Sequence, residues 1–298
     1  METRSVVEQP DAGSAPTGGA RSEEYRRRSY ELWQQMAGRW ERGREVLWQT
    51  TRPVSEWLVD RLSPEPGQTI LELAAGAGET GFLAAGRLGD QGRLICSDFS
   101  PRMVDAAERV AADFGIRNAE FRVLDAERLK LEDDSVDGVV CRFGYMLMGD
   151  PGLALRETRR VLRGEGRLAF SVFGEPGRNP WMTVARGVMA ERAHLAQPAP
   201  DEPGLFSMSD PETIGILLAE VGFARSEVEE MGIRFRFADA DSLWAYASEL
   251  QGPIALAIAK LDDDERKTVR AAIEQGFAPF RQNGGYQLPG LVLNVLAH

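Results

Sequence analysis

Between Ile70 and Gly81 the chain reads Ile-Leu-Glu-Leu-Ala-Ala-Gly-Ala-Gly-Glu-Thr-Gly, an aliphatic run that ends near an acidic residue and turns through glycines into a helix-forming stretch. A turn this tight needs positive φ, and it needs an absent Cβ where a ligand touches backbone; the amides that open the helix face the same crevice. Asp98 closes the next aliphatic run, 22 residues past Gly76. A carboxylate so placed can accept hydrogen bonds from both hydroxyls of a ribose. The two features together imply a nucleoside site. Gly76, Gly78 and Gly81 also fit the dinucleotide fingerprint G-x-G-x-x-G. That pattern alone is weak, and a pyrophosphate would meet repulsion from Glu72 at the strand end and Glu79 in the loop. The same two carboxylates favour a cationic ligand, so an NAD-dependent oxidoreductase is the poorer reading.

Such a turn does its work at the carboxyl edge of a parallel sheet, and the sequence around it supplies one. Short aliphatic or β-branched runs at Thr69–Leu73, Gly92–Ser97, Ala119–Val123, Val136–Cys141 and Gly166–Phe173 alternate with amphipathic segments at Thr80–Leu88, Pro101–Phe114 and Pro151–Leu162, with a short helical turn near Glu127. That alternation predicts an α/β, doubly wound fold. Upstream, residues 1–20 are rich in Gly, Pro, Ser and Ala and read as a disordered tail. Tyr30, Trp33, Trp40 and Leu47 recur at helical spacing, so one or two N-terminal helices run to about Gln49, and Pro53 opens another that stops before Pro64. Downstream, residues 174–209 hold five prolines and read as an irregular insertion. A helix capped by Asp210 follows, then an extended stretch at Ala224–Phe237, helices over about 239–281 broken near Gly252 and Pro253, and a last strand at Leu291–Leu296. Residues 21–64 and the insertions at about 174–209 and 239–281 lie where they could cover a site in a domain of residues 65–298.

Leu71-Glu-Leu-Ala-Ala-Gly-Ala-Gly resembles the first motif of class I S-adenosylmethionine-dependent methyltransferases. Ser97-Asp-Phe-Ser-Pro-Arg-Met103 resembles the second motif, and Val123-Leu-Asp-Ala126 the third. The resemblance spans about Trp40 to Phe237 and is closest to the small-molecule group that includes the ubiquinone and menaquinone biosynthesis methyltransferases. It implies a seven-stranded Rossmann-like sheet whose final antiparallel strand inserts beside the fifth, and S-adenosyl-L-methionine as cofactor. It further implies that Glu72 and the backbone from Ala74 through Gly76 to Gly78 hold the methionine moiety, and that Asp98 holds the ribose. Phe99 and Met103 would flank the adenine, Asp125 and the Ala126 amide would read its edge, and Cys141, Arg142 and Phe143 would run along the cofactor near the methyl group. Ala74 departs from the pattern, standing where many members have a glycine. Taken as residues alone, Asp125 also suits a helix cap and Met103 a core position.

Methyl transfer from a sulfonium is an in-line displacement in which alignment supplies most of the rate, with a base needed for acidic nucleophiles. His194 and His298 are the only histidines. His194, in the insertion, and Tyr145, just past the fourth strand, are the candidate catalytic groups. The activity so implied is methyl transfer to O, N or C of a small acceptor; a catalytically silent cofactor-binding protein of the same fold is the alternative, motivated by Ala74 and the lack of an obvious histidine base in the sheet. Over 298 residues the net charge is −11, which disfavours a nucleic-acid partner. Cys96 and Cys141 sit in apolar runs and read as small buried hydrophobes, neither a disulfide nor a metal pair. With no apolar stretch near the roughly 20 residues of a membrane span and no leader-like N-terminus, the expected location is cytoplasmic.

Overall fold

The computed structural model describes residues 18–196 and 202–298. Nearly all of the tail expected over residues 1–20 lies outside them. The chain builds one sheet from β1 (Thr69–Glu72), β2 (Arg93–Asp98), β3 (Ala119–Val123), β4 (Val136–Arg142), β5 (Leu162–Phe173), β6 (Ser226–Phe237), β7 (Arg281–Gln282) and β8 (Gly285–Ala297). Its order is β3-β2-β1-β4-β5-β8-β6, with the two-residue β7 paired to the start of β8. The strands from β3 to β5 are parallel, and β8 runs antiparallel between β5 and β6, pairing Leu168 with Ala297 and Phe173 with Val292. This is the doubly wound sheet with an inserted antiparallel strand that the motifs imply. Strand order reverses between β1 and β4, so the chain leaves the sheet in opposite directions there and opens a crevice at their carboxyl ends.

The helices are α1 (Gly18–Leu62), α2 (Glu79–Leu88), α3 (Pro101–Phe114), α4 (Pro151–Val161), α5 (Pro180–Glu191), α6 (Pro211–Glu220), α7 (Ala240–Glu249), α8 (Pro253–Ile258) and α9 (Asp263–Gly276). Ser100, Asp150, Asp210, Asp239 and Asp262 cap five of them by accepting hydrogen bonds from first-turn amides.

Four expectations are corrected. The N-terminal segment is a single 45-residue helix with Pro53 inside it. A mid-helix proline costs about 3 kcal/mol, but Val54, Leu58 and Val59 follow it fully buried, and burial of an aliphatic side chain returns about 1.5–3 kcal/mol each. The segment 174–209 is not irregular throughout. It contains α5, whose buried Trp181, Met182, Ala185 and Met189 make a helical stripe that the surrounding prolines hid from view. Region 239–281 holds three helices, with a second break where Asp262 caps α9. The last strand also runs longer than expected, through Pro289. At that point β8 pairs only with β6, so the missing amide breaks no ladder on the β5 side.

Candidate active site

The β1–α2 turn is held from beneath by Glu72. This buried side chain accepts a hydrogen bond from the Gly81 amide at 2.8 Å and one from the Cys96 thiol at 3.4 Å, while its carbonyl accepts the Ser97 hydroxyl at 2.6 Å. Any Cβ on Gly81 would collide with that carboxylate, and one on Gly78, at φ +85°, would enter the Phe82 ring. Gly81, within α2, is therefore a packing requirement, and Gly78 both a packing and a conformational one. Burial pushes the Glu72 carboxyl up to about 8, against the lowering effect of the Gly81 and Cys96 hydrogen bonds.

At the end of β2, Asp98 accepts the Gly76 amide at 3.1 Å and the Ser100 amide at 2.9 Å. Burial raises its carboxyl to about 6, with the backbone amides of Ser100, Gly76 and Phe99 pulling the other way. Glu79, at the first turn of α2, faces Arg142 at 3.5 Å, and burial raises its carboxyl. Arg142 donates to Thr51 Oγ1 at 2.5 Å and to Ser55 Oγ at 3.3 Å, and its guanidinium lies 5.9 Å from the Trp48 ring centroid. It thereby ties the end of β4 to α1.

These groups open onto a cavity of about 1280 Å³. Among the residues expected to hold a cofactor, Glu72, Ala74, Gly76, Asp98, Phe99, Met103, Asp125, Ala126, Arg142 and Phe143 line it. Gly78 shapes the turn without lining the cavity. Cys141 is buried on the opposite face of β4 from Arg142, as strand alternation requires, and contributes no wall. Asp125 is engaged on both oxygens, by the Glu127 amide at 3.0 Å and by an ion pair with Arg26 of α1. It caps this turn and at the same time lines the cavity.

The two candidate catalytic side chains part company. Tyr145 sits in a 3-10 turn (Tyr145–Leu147) that drives its ring into the core at 0% exposure, where its hydroxyl pairs with Thr158 Oγ1 at 2.6 Å. It does not line the cavity, and burial holds its phenol well above the ordinary value. The expectation that Tyr145 points at a substrate is corrected on that ground. His194 does line the cavity, with Nε2 2.9 Å from Glu265 Oε1 of α9.

Sequence reasoning missed Arg26, Thr51, Ser55, Gln251 and Glu265. Thr51 and Ser55 come onto one face only because α1 runs unbroken through Pro53, where the sequence suggested a break between Gln49 and Pro53. The others are brought in by long-range packing that no local pattern announces.

Ala74 takes φ +50° at the cavity wall, a conformation that costs a non-glycine residue about 1–2 kcal/mol. Replacing it with glycine relieves that strain but adds freedom to the unfolded chain worth about 0.4–1 kcal/mol. Ala74→Gly should therefore be stabilised by about 0.5 kcal/mol in urea unfolding; a loss of stability would show that the methyl contributes packing there.

Residues 64–197 match a family model described as a methyltransferase domain. The chain is 35% identical over 147 residues to a demethylmenaquinone methyltransferase of Clavibacter sepedonicus, an alignment covering 49% of this chain and 54% of that protein. Over 119 residues it is 32% identical to the aklanonic acid methyltransferase DauC of a Streptomyces species, covering 40% and 54%. The chain spans about half the length, or less, of the first curated relatives it matches. Among solved structures, the YcgJ protein of Bacillus subtilis shares the fold with a TM-score of 0.56 at 18% identity, over 82% of this chain and 96% of that one. Fold and crevice define a Rossmann-like domain built to hold a nucleoside. With the sequence matches, residues 64–197, a little under half of the chain, form an S-adenosylmethionine-dependent methyltransferase domain. Among the described residues no helix is long and apolar enough to cross a membrane.

Proposed function

We propose that this chain transfers a methyl group from S-adenosylmethionine to an oxygen, nitrogen or carbon of a small, largely apolar acceptor. The observation that carries this reading is that the glycine-loop crevice and an aromatic chamber are one cavity. Its volume of about 1280 Å³ exceeds the roughly 300–1,000 Å³ usual for a single small-molecule pocket, leaving room for cofactor and acceptor together. α1, α5 and the helices over 239–281 serve as its cap on a methyltransferase domain of residues 65–298.

The residues present suit the cofactor. Glu79 Oε1 is a buried acceptor with no partner among the described residues, beside the glycine loop, and is placed to meet a cationic ligand. Asp98 would hold the ribose. Met103, Phe99 and Leu124 give apolar walls for the adenine. Bound there, the cofactor supplies an electrophilic methyl carbon on a sulfonium leaving group. The protein's work is then to align the acceptor and exclude water, since orientation supplies most of the rate in such a displacement. Stacked Phe143 and Phe173, with ring centroids 4.3 Å apart, give the cavity an aromatic wall. For a hydroxyl or N–H nucleophile, His194 is the base candidate, with Glu265 holding one ring nitrogen.

The reading is tested by incubating the protein with S-adenosylmethionine and a panel of phenols, aromatic amines and active-methylene compounds, and measuring S-adenosylhomocysteine release. Acceptor-dependent release is expected, reduced at least tenfold in His194→Ala for hydroxyl acceptors. Tight S-adenosylhomocysteine binding without release from any acceptor would favour a silent binding protein instead, and preferential binding of NAD would overturn the assignment.

A further inference from the structure

Among the described residues, five buried side-chain polar atoms have no hydrogen-bond partner, and three of them, Trp40 Nε1, Glu79 Oε1 and Gln251 Oε1, belong to residues lining the cavity. A buried polar atom left unpaired costs about 1–3 kcal/mol. A concentration of such atoms around one chamber marks where a ligand supplies the missing partners. Two of the three adjoin the glycine loop: Glu79 opens α2, and the Trp40 ring lies 3.9 Å from where a Cβ on Gly76 would stand. These belong to the nucleoside half.

Gln251 belongs to the other half. It is 3% exposed, and its Nε2 donates to the Trp181 carbonyl at 2.6 Å, which fixes the orientation of the amide and leaves Oε1 as an acceptor. The wall around it is aromatic. Trp181 stacks on Phe235 at 4.6 Å between ring centroids and tilts against Phe173 at 4.8 Å, and Tyr246 packs on Phe235 at 5.5 Å. The Gln251 side-chain amide also hydrogen-bonds the Tyr246 phenol, which lowers its pKa against the far larger rise that burial imposes, while Oε1 has no partner among the described residues.

We propose that Gln251 Oε1 reads a hydrogen-bond donor, a hydroxyl or N–H, on an otherwise apolar aromatic acceptor. This rests on the methyl-transfer reading of the cavity and narrows its substrate class. An amide oxygen takes no proton at neutral pH, so the group it holds orients the acceptor and is not deprotonated by it. A pocket built to pair with a donor also rejects analogues that lack one, because they strand its buried oxygen.

The test uses protein saturated with S-adenosylhomocysteine, titrated calorimetrically with 1-naphthol and with 1-methylnaphthalene, which has nearly the same shape but no donor. 1-Naphthol should bind at least fivefold more tightly, although the methyl analogue is the more apolar. In Gln251→Met that order should disappear or reverse, with affinity for 1-methylnaphthalene and for S-adenosylhomocysteine unchanged. Equal binding of the two probes to the unsubstituted protein, no saturable binding of 1-naphthol, or a preference that survives in Gln251→Met would each overturn the proposal. Loss of S-adenosylhomocysteine binding by the unsubstituted protein would instead sink the underlying methyl-transfer reading.

Discussion

Asp98→Ala should weaken S-adenosylhomocysteine binding by two to three orders of magnitude at pH 7.5 while leaving the fold intact. Asp98 is 6% exposed and already accepts two backbone amides, which hold its carboxylate in a fixed direction at the end of β2. Hydrogen bonds to a charged acceptor contribute about 1.5–3 kcal/mol each. Two of them from a ribose, in a water-poor crevice, correspond to the stated loss. The carboxyl's raised value of about 6 adds a pH signature. The ionised form is the one that receives two hydroxyl donors, so affinity should fall as pH drops through 6, approaching tenfold per unit below it. Asp98→Asn, which has no charge to lose, should bind weakly and show no such slope. Calorimetric titrations from pH 5 to 8 on the three proteins check both points. A slope that persists in Asp98→Asn would assign the titration to another group.

What the sequence made legible, and what it did not, divides by the range of the interaction involved. The β1 turn was readable because its constraints are local: a strand, positive-φ glycines and a helix start follow one another within a dozen residues. Asp98 was readable because the next parallel strand returns at a fixed interval. Tyr145 was misplaced because a single 3-10 turn, invisible to periodicity, decides whether its ring meets the cavity or Thr158. The pairing of Arg26 with Asp125 joins positions 99 residues apart and depends on how α1 lies across the sheet. Pro53 misled in a different manner. The local rule that proline breaks helices is sound, but the burial of Val54, Leu58 and Val59 outweighs it. Gln251 could not have been found from sequence, since its significance is that nothing among the described residues meets its oxygen.

Arg142→Leu should cost about 3 kcal/mol of stability, the largest loss of folding stability expected of a single substitution at this site. The guanidinium is mostly buried, and burial lowers its pKa while Glu79 and Glu72 raise it. It is the ion-pair partner of Glu79, whose charge Arg44 also favours, and it donates to Thr51 and Ser55 on α1. Removing one member of a buried ion pair strands the other, at about 3–5 kcal/mol, whereas replacing both members is far milder. Because the Glu79 carboxyl is already shifted upward by burial, it can take a proton once Arg142 is gone, which limits the loss to the lower end of that range. The double variant Arg142→Leu/Glu79→Gln should therefore recover more than half of the lost stability. The single Glu79→Gln variant should be destabilised less than Arg142→Leu, because the hydroxyl partners of Arg142 remain. Urea unfolding of the four proteins measures the coupling directly. If the two substitutions simply add, the pair contributes nothing as a pair, and Arg142 holds α1 to the sheet only through Thr51 and Ser55.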